Sequence, residues 1–268
     1  MYKNLRWYIF TVFLLSYVTS YAQSDKVYHW DNKNDFITLG VTFGFFGVSV
    51  ASLDATNAPT IEEIQMLDQA GIWGFERKTI NNVSPTLKDY SDRLLIGSIA
   101  LPFLHYLSPT ARKEGVAILG MTFQAFFIAD GITNLSKATF TRYRPFAYNP
   151  DVPIEDKLDN NSKFSFISGH TSVTTMLGVF SAKVFSDLYP NSKLRPYIWT
   201  AGLLIPATTG YLRYASGRHF ITDVVGGFIV GATVGYLVPQ IHKISNPNLS
   251  LDLVPVNNGF VFALNKKF

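Results

Sequence analysis

The chain has 268 residues, of which 47% are hydrophobic and only 16% charged, with a net charge of +4 and no cysteine. Soluble domains carry about 25% charged residues, so the deficit points to a very large core or a lipid-facing surface. The mild charge, without a basic run, argues against nucleic acid; the lack of cysteine excludes disulfides and thiolate chemistry; and the five scattered histidines form no metal-ligand pair.

Residues 1–22 read as an export signal or an uncleaved first membrane helix: Lys3 and Arg6 precede an apolar stretch from Trp7 to Val18, and Ala22 ends a small-residue site. In either case the following residues begin outside the cytoplasm. Six long uncharged runs follow, Phe36–Leu53, Leu94–Ala111, Gly115–Ala129, Phe164–Ala182, Pro196–Leu212 and Val224–Ile241. A membrane helix needs about 20 largely apolar residues, and most of these runs are at or just under that length. The pattern predicts an all-α integral membrane bundle of five or six spans. Its parts are a segment 23–93 outside the membrane, a membrane domain 94–242 and a tail 243–268.

Within 54–93, Thr60–Glu63 has the form of a capping box, and Ser84-Pro85 that of a cap followed by a first-turn proline. Both predict short helices on the periplasmic side. The tail alternates weakly around Asn257-Asn258-Gly259, which predicts a β-hairpin. Lysines and arginines in short loops mark the cytoplasmic side. Arg112, Lys113, Lys193, Arg195 and Lys243 then lie inside, and residues 136–166 and 213–223 outside. Counting Phe36–Leu53 as a full span would reverse every later side. Its Gly, Ser and Thr content favours a re-entrant or non-spanning run instead.

Both outward loops carry unusual basic residues. In "KATFTRYRP", Lys137 and Arg144 lie seven apart, a spacing that shares a helical face, and Asp130 lies seven before Lys137. A basic anchor at the membrane edge would read the same way. In "SGH", His170 sits at the mouth of an apolar helix behind Ser168 and Gly169. In "LRYASGRHFITDVVGG", Arg213, His219 and Asp223 follow R-x5-H-x3-D, which places His219 and Asp223 on one helical face. A carboxylate beside an imidazole fixes its tautomer and supports its charged form, as nucleophilic or proton-transferring histidines need; a helix-start cap is the plainer reading of that pair.

Taken together and in this order, K-x6-R-P, S-G-H and R-x5-H-x3-D resemble the type 2 phosphatidic acid phosphatase superfamily, which includes lipid phosphatases, soluble bacterial acid phosphatases and vanadium haloperoxidases. The resemblance covers residues 130–228. Two positions depart from it: Ile167 stands where proline is usual and Leu212 where serine is usual. The resemblance implies that His219 attacks phosphorus to form a phosphohistidine, that Asp223 orients it, and that His170 protonates the leaving oxygen and then activates water. Lys137, Arg144, Arg213, Ser168 and Gly169 would bind the phosphate, and no metal or other cofactor is required. Arg218 is an extra cation available to a diphosphate. The implied protein is a phosphatase of lipid phosphates or diphosphates in a bacterial inner membrane, its site facing the periplasm. A soluble exported acid phosphatase would share the motifs, and a non-enzymatic transport protein would carry them incidentally.

Overall fold

The computed structural model describes residues 26–244, 249–256 and 259–266. The expected export segment, residues 1–22, and the expected turn at Asn257-Asn258 lie outside the described residues.

Helix α1, Asn32–Asp54, is capped by Asp31, whose side chain accepts from Lys33 N–H. At 1.5 Å per residue its 23 residues extend roughly 34 Å. The chain then stays at one end of the molecule through α2, Ile61–Gln65, where Thr60 and Glu63 close a capping box. Helix α3, Pro85–Ser98, starts on Ser84 with proline in its first turn, and α4, Leu101–Leu104, continues it. A short α5, Pro109–Lys113, turns the chain into α6, Gly115–Phe140. After α7, Ile154–Lys157, come three long helices: α8, Gly169–Leu188; α9, Arg195–Ala215; and α10, Ile221–His242. Strands β1, Leu249–Val256, and β2, Gly259–Lys266, pair antiparallel with Val256 opposite Gly259.

Helix α8 is the centre of the bundle, which explains its many hydroxyls: Thr171, Ser172, Thr174, Thr175 and Ser181 face protein, not lipid. Small residues let its neighbours come close. On α10, Gly227, Gly231 and Gly235 lie against the Ser168, Ser172 and Met176 carbonyls of α8, and a Cβ on Gly231 would come within 2.2 Å of Ser172 O. Four-residue glycine spacing of this kind is the device by which membrane helices bring backbones together. The pairing advances in register along both chains, so α8 and α10 run the same way.

Helix α1 runs parallel to α6. Trp30 covers Gly120, Gln124 Nε2 donates to Asp35 O, Phe45 covers Gly131, and Ser49 meets Asn134. The sequence suggests a re-entrant or non-spanning run at residues 36–53. The segment is one unbroken helix, long and apolar enough to cross a membrane. Its hydroxyls did not signal a polar surface, because Thr38, Thr42, Ser49 and Ser52 donate to the carbonyls of Asn34, Leu39, Phe46 and Val48 in the same helix. A satisfied hydroxyl costs little away from water. The outer face is apolar, with Phe36 54% and Val41 66% exposed.

Among the described residues three stretches have the length and composition to cross: α1, Gly115–Tyr148 and α10. Long helices that turn large apolar side chains outward are the mark of a helical membrane protein. At the end away from α2 and α7, the chain segments are tied together. Tyr28 Oη donates to Asp187 Oδ2 at 3.0 Å, Lys243 Nζ reaches Asp187 Oδ1 at 2.6 Å, and Val27 N–H donates to Glu114 Oε1 at 2.8 Å. Residues 26–31 therefore sit at that far end, with 112–115 and 242–244.

Candidate active site

The C-terminal ends of α6 and α9 and the N-terminal ends of α8 and α10 converge at the opposite end. Helix α6 stops at Thr141, whose φ of 39° is left-handed, and the chain turns so that Arg144 follows Lys137 into the same space. Between α9 and α10 the turn depends on Gly217 (φ 70°), where a Cβ would come within 1.8 Å of Asn82 O. Within it, Arg218 and His219 both donate N–H to Arg213 O, so Arg213 and His219 reach one cavity.

That cavity, about 620 Å³, is lined by Lys137, Arg144, Gly169, His170, Arg213 and His219, with Lys88, Asp92 and Arg218 farther round. Arg144 is 5% exposed and held by Asn161 O, to which its Nε donates at 2.7 Å. Arg213 is 3% exposed. Its Nη1 donates to Ser91 Oγ and Asp92 Oδ1, both at 3.2 Å. Gly169 has a local reason to lack a side chain, since a Cβ there would press on Lys137 Nζ at 3.1 Å. Two buried arginines and the half-buried Lys137 around one cavity are a site for a multiply charged anion, with arginine suited to phosphate oxygens.

Ser168 and Asp223 are fully buried and do not line the cavity. Ser168 caps α8, its Oγ accepting from Thr171 N–H, and its own N–H donates to Asp223 O. Asp223 Oδ2 accepts from Phe220 N–H at 2.8 Å and from Ser165 Oγ. His219 is 1% exposed, and its Nδ1 lies 2.8 Å from Ser165 O. A carbonyl only accepts, so Nδ1 carries the proton and Nε2 the lone pair. Burial first, then the charges of Arg144 and Arg213, hold the His219 imidazolium well below its ordinary range, so the ring is neutral.

Three residues of the network were not singled out from the sequence. Asp92 accepts from His170 Nε2 at 2.7 Å and from Arg213. Arg142 joins Asp223 to Glu76. Each contact spans at least 66 residues of chain, and no local pattern announces it. Arg142 had one signal, its place two residues before Arg144. The departure at Ile167 is filled by packing: its side chain is buried against Gly226.

The profile of the PAP2 superfamily matches residues 97–247, more than half of the chain. The chain belongs to the PAP2 superfamily. A lipid A 4'-phosphatase of Porphyromonas gingivalis is 34% identical over 153 residues, which is 55% of this chain and 60% of that protein. An undecaprenyl-diphosphatase of Sulfolobus acidocaldarius is 27% identical over 133 residues, 49% of this chain and 57% of that one. The matches thus span about three-fifths of the length of these PAP2 relatives. A PAP2-type phosphatidylglycerolphosphate phosphatase from Bacillus subtilis superposes with a TM-score of 0.48 and 21% identity, covering 76% of this chain and 95% of that one.

Proposed function

We propose that this PAP2 protein is a membrane phosphatase that hydrolyses lipid phosphates or diphosphates through a phosphohistidine. The observation that carries the reading is the bond from His219 Nδ1 to Ser165 O, which leaves the Nε2 lone pair as the nucleophile beside Lys137, Arg144 and Arg213. Phosphoryl transfer depends mainly on positioning and on cations around the equatorial oxygens. In the first step Nε2 attacks phosphorus, the bond to the leaving oxygen breaks, and His170 gives that oxygen its proton. In the second, water attacks phosphorus and loses a proton to His170, and the P–N bond breaks to restore the His219 lone pair. Asp92 holds His170 Nε2 and so fixes the orientation of that ring, with Nδ1 left to face the leaving oxygen. Lys88 and Arg218 lie in the same cavity, available to a second phosphate.

The apolar belt of α1 favours a lipid substrate in a membrane over a soluble acid phosphatase. Six helical passages fit the bundle: α1, α3 with α4, α6, α8, α9 and α10. Lys26, Arg112, Lys113, Lys193, Arg195 and Lys243 belong to the far end, so the positive-inside rule favours a cytoplasmic far end and a site facing the periplasm of a bacterial inner membrane. With α1 crossing, this orientation requires residues 26–31 to be cytoplasmic, and it is incompatible with an export signal delivering them outside.

Purified protein tested against phosphatidic acid, phosphatidylglycerol phosphate, undecaprenyl diphosphate and lipid A should release inorganic phosphate from at least one. Release from none, by folded protein, would favour a non-enzymatic role.

A further inference from the structure

Beyond the cavity a second charged cluster is buried behind His219. Glu76 comes from the segment between α2 and α3, upstream of the stretch that matches the PAP2 profile. Its side chain is 0% exposed. Glu76 Oε1 accepts from Thr222 N–H at 3.0 Å and Thr222 Oγ1 at 2.7 Å, at the first turn of α10. Glu76 Oε2 accepts from Arg142 Nη2 at 2.7 Å. Arg142 turns its other nitrogen, Nη1, to Asp223 Oδ1 at 2.6 Å and to Thr222 Oγ1 at 2.8 Å, with its guanidinium 4.2 Å over the Phe220 ring. The line Glu76–Arg142–Asp223 thus ends on the carboxylate that lies 3.7 Å from His219 Nδ1.

A buried acid is costly unless paired, and one arginine cannot neutralise two of them. That surplus has a use at this place. Arg142 and Asp223 alone would form a neutral pair, and Arg142 would cancel much of the field that Asp223 exerts on the ring. With Glu76 present the three groups sum to one negative charge. When Nε2 bonds to phosphorus the imidazole becomes cationic, and a fixed negative charge behind it favours that state without reorganisation. The same contacts fix the angle at which α10 starts, because Glu76 holds both the backbone and the hydroxyl of Thr222.

We propose that Glu76 and Arg142 are positioning residues for the nucleophile: Glu76 aims Arg142, Arg142 holds Asp223, and the net negative charge of the trio stabilises the cationic ring of His219. The inference rests on the proposed phosphohistidine reaction and adds to it a component from outside the family-matched region.

The test is Glu76→Gln in full-length protein, alone and combined with Asp223→Asn. Hydrogen bonds to charged groups are worth about 1.5–3 kcal/mol, which corresponds to roughly tenfold to hundredfold. Glu76→Gln should lower kcat by about that factor, with KM nearly unchanged, and lower it alike for lipid and activated aryl phosphates, since the attacking group is affected. In the Asp223→Asn background it should add little. Losses that multiply in the double variant, or that follow a fall in melting temperature, would make Glu76 a structural residue and overturn the proposal. A second reading does not depend on turnover. The ¹⁵N resonances of His219 should report one tautomer, protonated at Nδ1, in the parent protein and a mixture in Glu76→Gln and Arg142→Lys. Unchanged resonances together with unchanged kcat would also overturn it. Absence of phosphate release by the parent protein would count against the phosphatase reading, and the resonances would still test the positioning.

Discussion

His219 Nδ1 lies 2.8 Å from Ser165 O but 3.7 Å from Asp223 Oδ2, so the carboxylate expected to orient the ring does not bond to it. Asp223 holds Ser165 through its Oγ instead, and the Ser165 carbonyl holds the imidazole. The tautomer is therefore set by a backbone carbonyl, and Asp223 contributes mainly charge and the placement of that carbonyl.

This arrangement separates two substitutions. His219→Ala should abolish turnover, and parent protein quenched in alkaline denaturant, where a P–N bond survives, should carry phosphate on residue 219. Asp223→Asn should keep the Phe220 N–H contact and retain measurable activity, reduced at least tenfold. Phosphate trapped on another residue, or full activity in His219→Ala, would contradict the assignment.

As leaving-group acid, His170 should matter most for poor leaving groups. General acid catalysis contributes typically about 10²–10⁴-fold. His170→Ala should lose hydrolysis of lipid phosphates by a factor of that order while an activated aryl phosphate is affected far less. Equal losses on both would make His170 a binding or structural group.

The neutral state of His219 has a consequence for stability. Its pKa is lowered in the folded protein, so the unfolded chain takes up a proton at about pH 6.5 that the folded chain refuses. Stability should therefore fall as pH drops below about 6.5 and level off above it. His219→Asn should flatten that part of the profile. Melting temperatures of both proteins in detergent, from pH 7.5 to 5, give the comparison; identical slopes would mean that the ring is protonated when folded.

Topology can be read by single-cysteine labelling, since the chain has no native cysteine. Asn160→Cys and Asn81→Cys, both exposed at the site end, should react with an impermeant reagent in spheroplasts, and Asn191→Cys at the far end should not. The reverse pattern would mean that residues 26–31 are outside and the site faces the cytoplasm.

The parts of this protein that could be read from the chain are those whose physics is local. The Thr60–Glu63 capping box and the Ser84-Pro85 start involve neighbours within four residues, and the R-x5-H-x3-D spacing is fixed by a single turn. Residues 36–53 are hard to read for a different reason. Composition counts a threonine as polar whether or not its hydroxyl is already bonded to its own helix, and here Thr38, Thr42, Ser49 and Ser52 all are. Glu76, Asp92 and Arg142 were illegible because their partners come together only when α3, α8 and α10 pack.

The glycine seam between α8 and α10 also bears on how such a protein can diversify. With Ser172 O 2.2 Å from where a Cβ on Gly231 would stand, and Met176 O 2.6 Å from that on Gly235, even one added methyl would force the two helices apart. His170 begins one of those helices and Asp223 lies in the first turn of the other, so any such wedge would spread the reacting groups. Substitutions that reshape the cavity without wedging the helices would instead fall on lining residues outside the seam, such as Val152, Glu155 and Asp156. On the proposed lipid-phosphate reading, headgroup preference would be altered there while His170 and His219 kept their places.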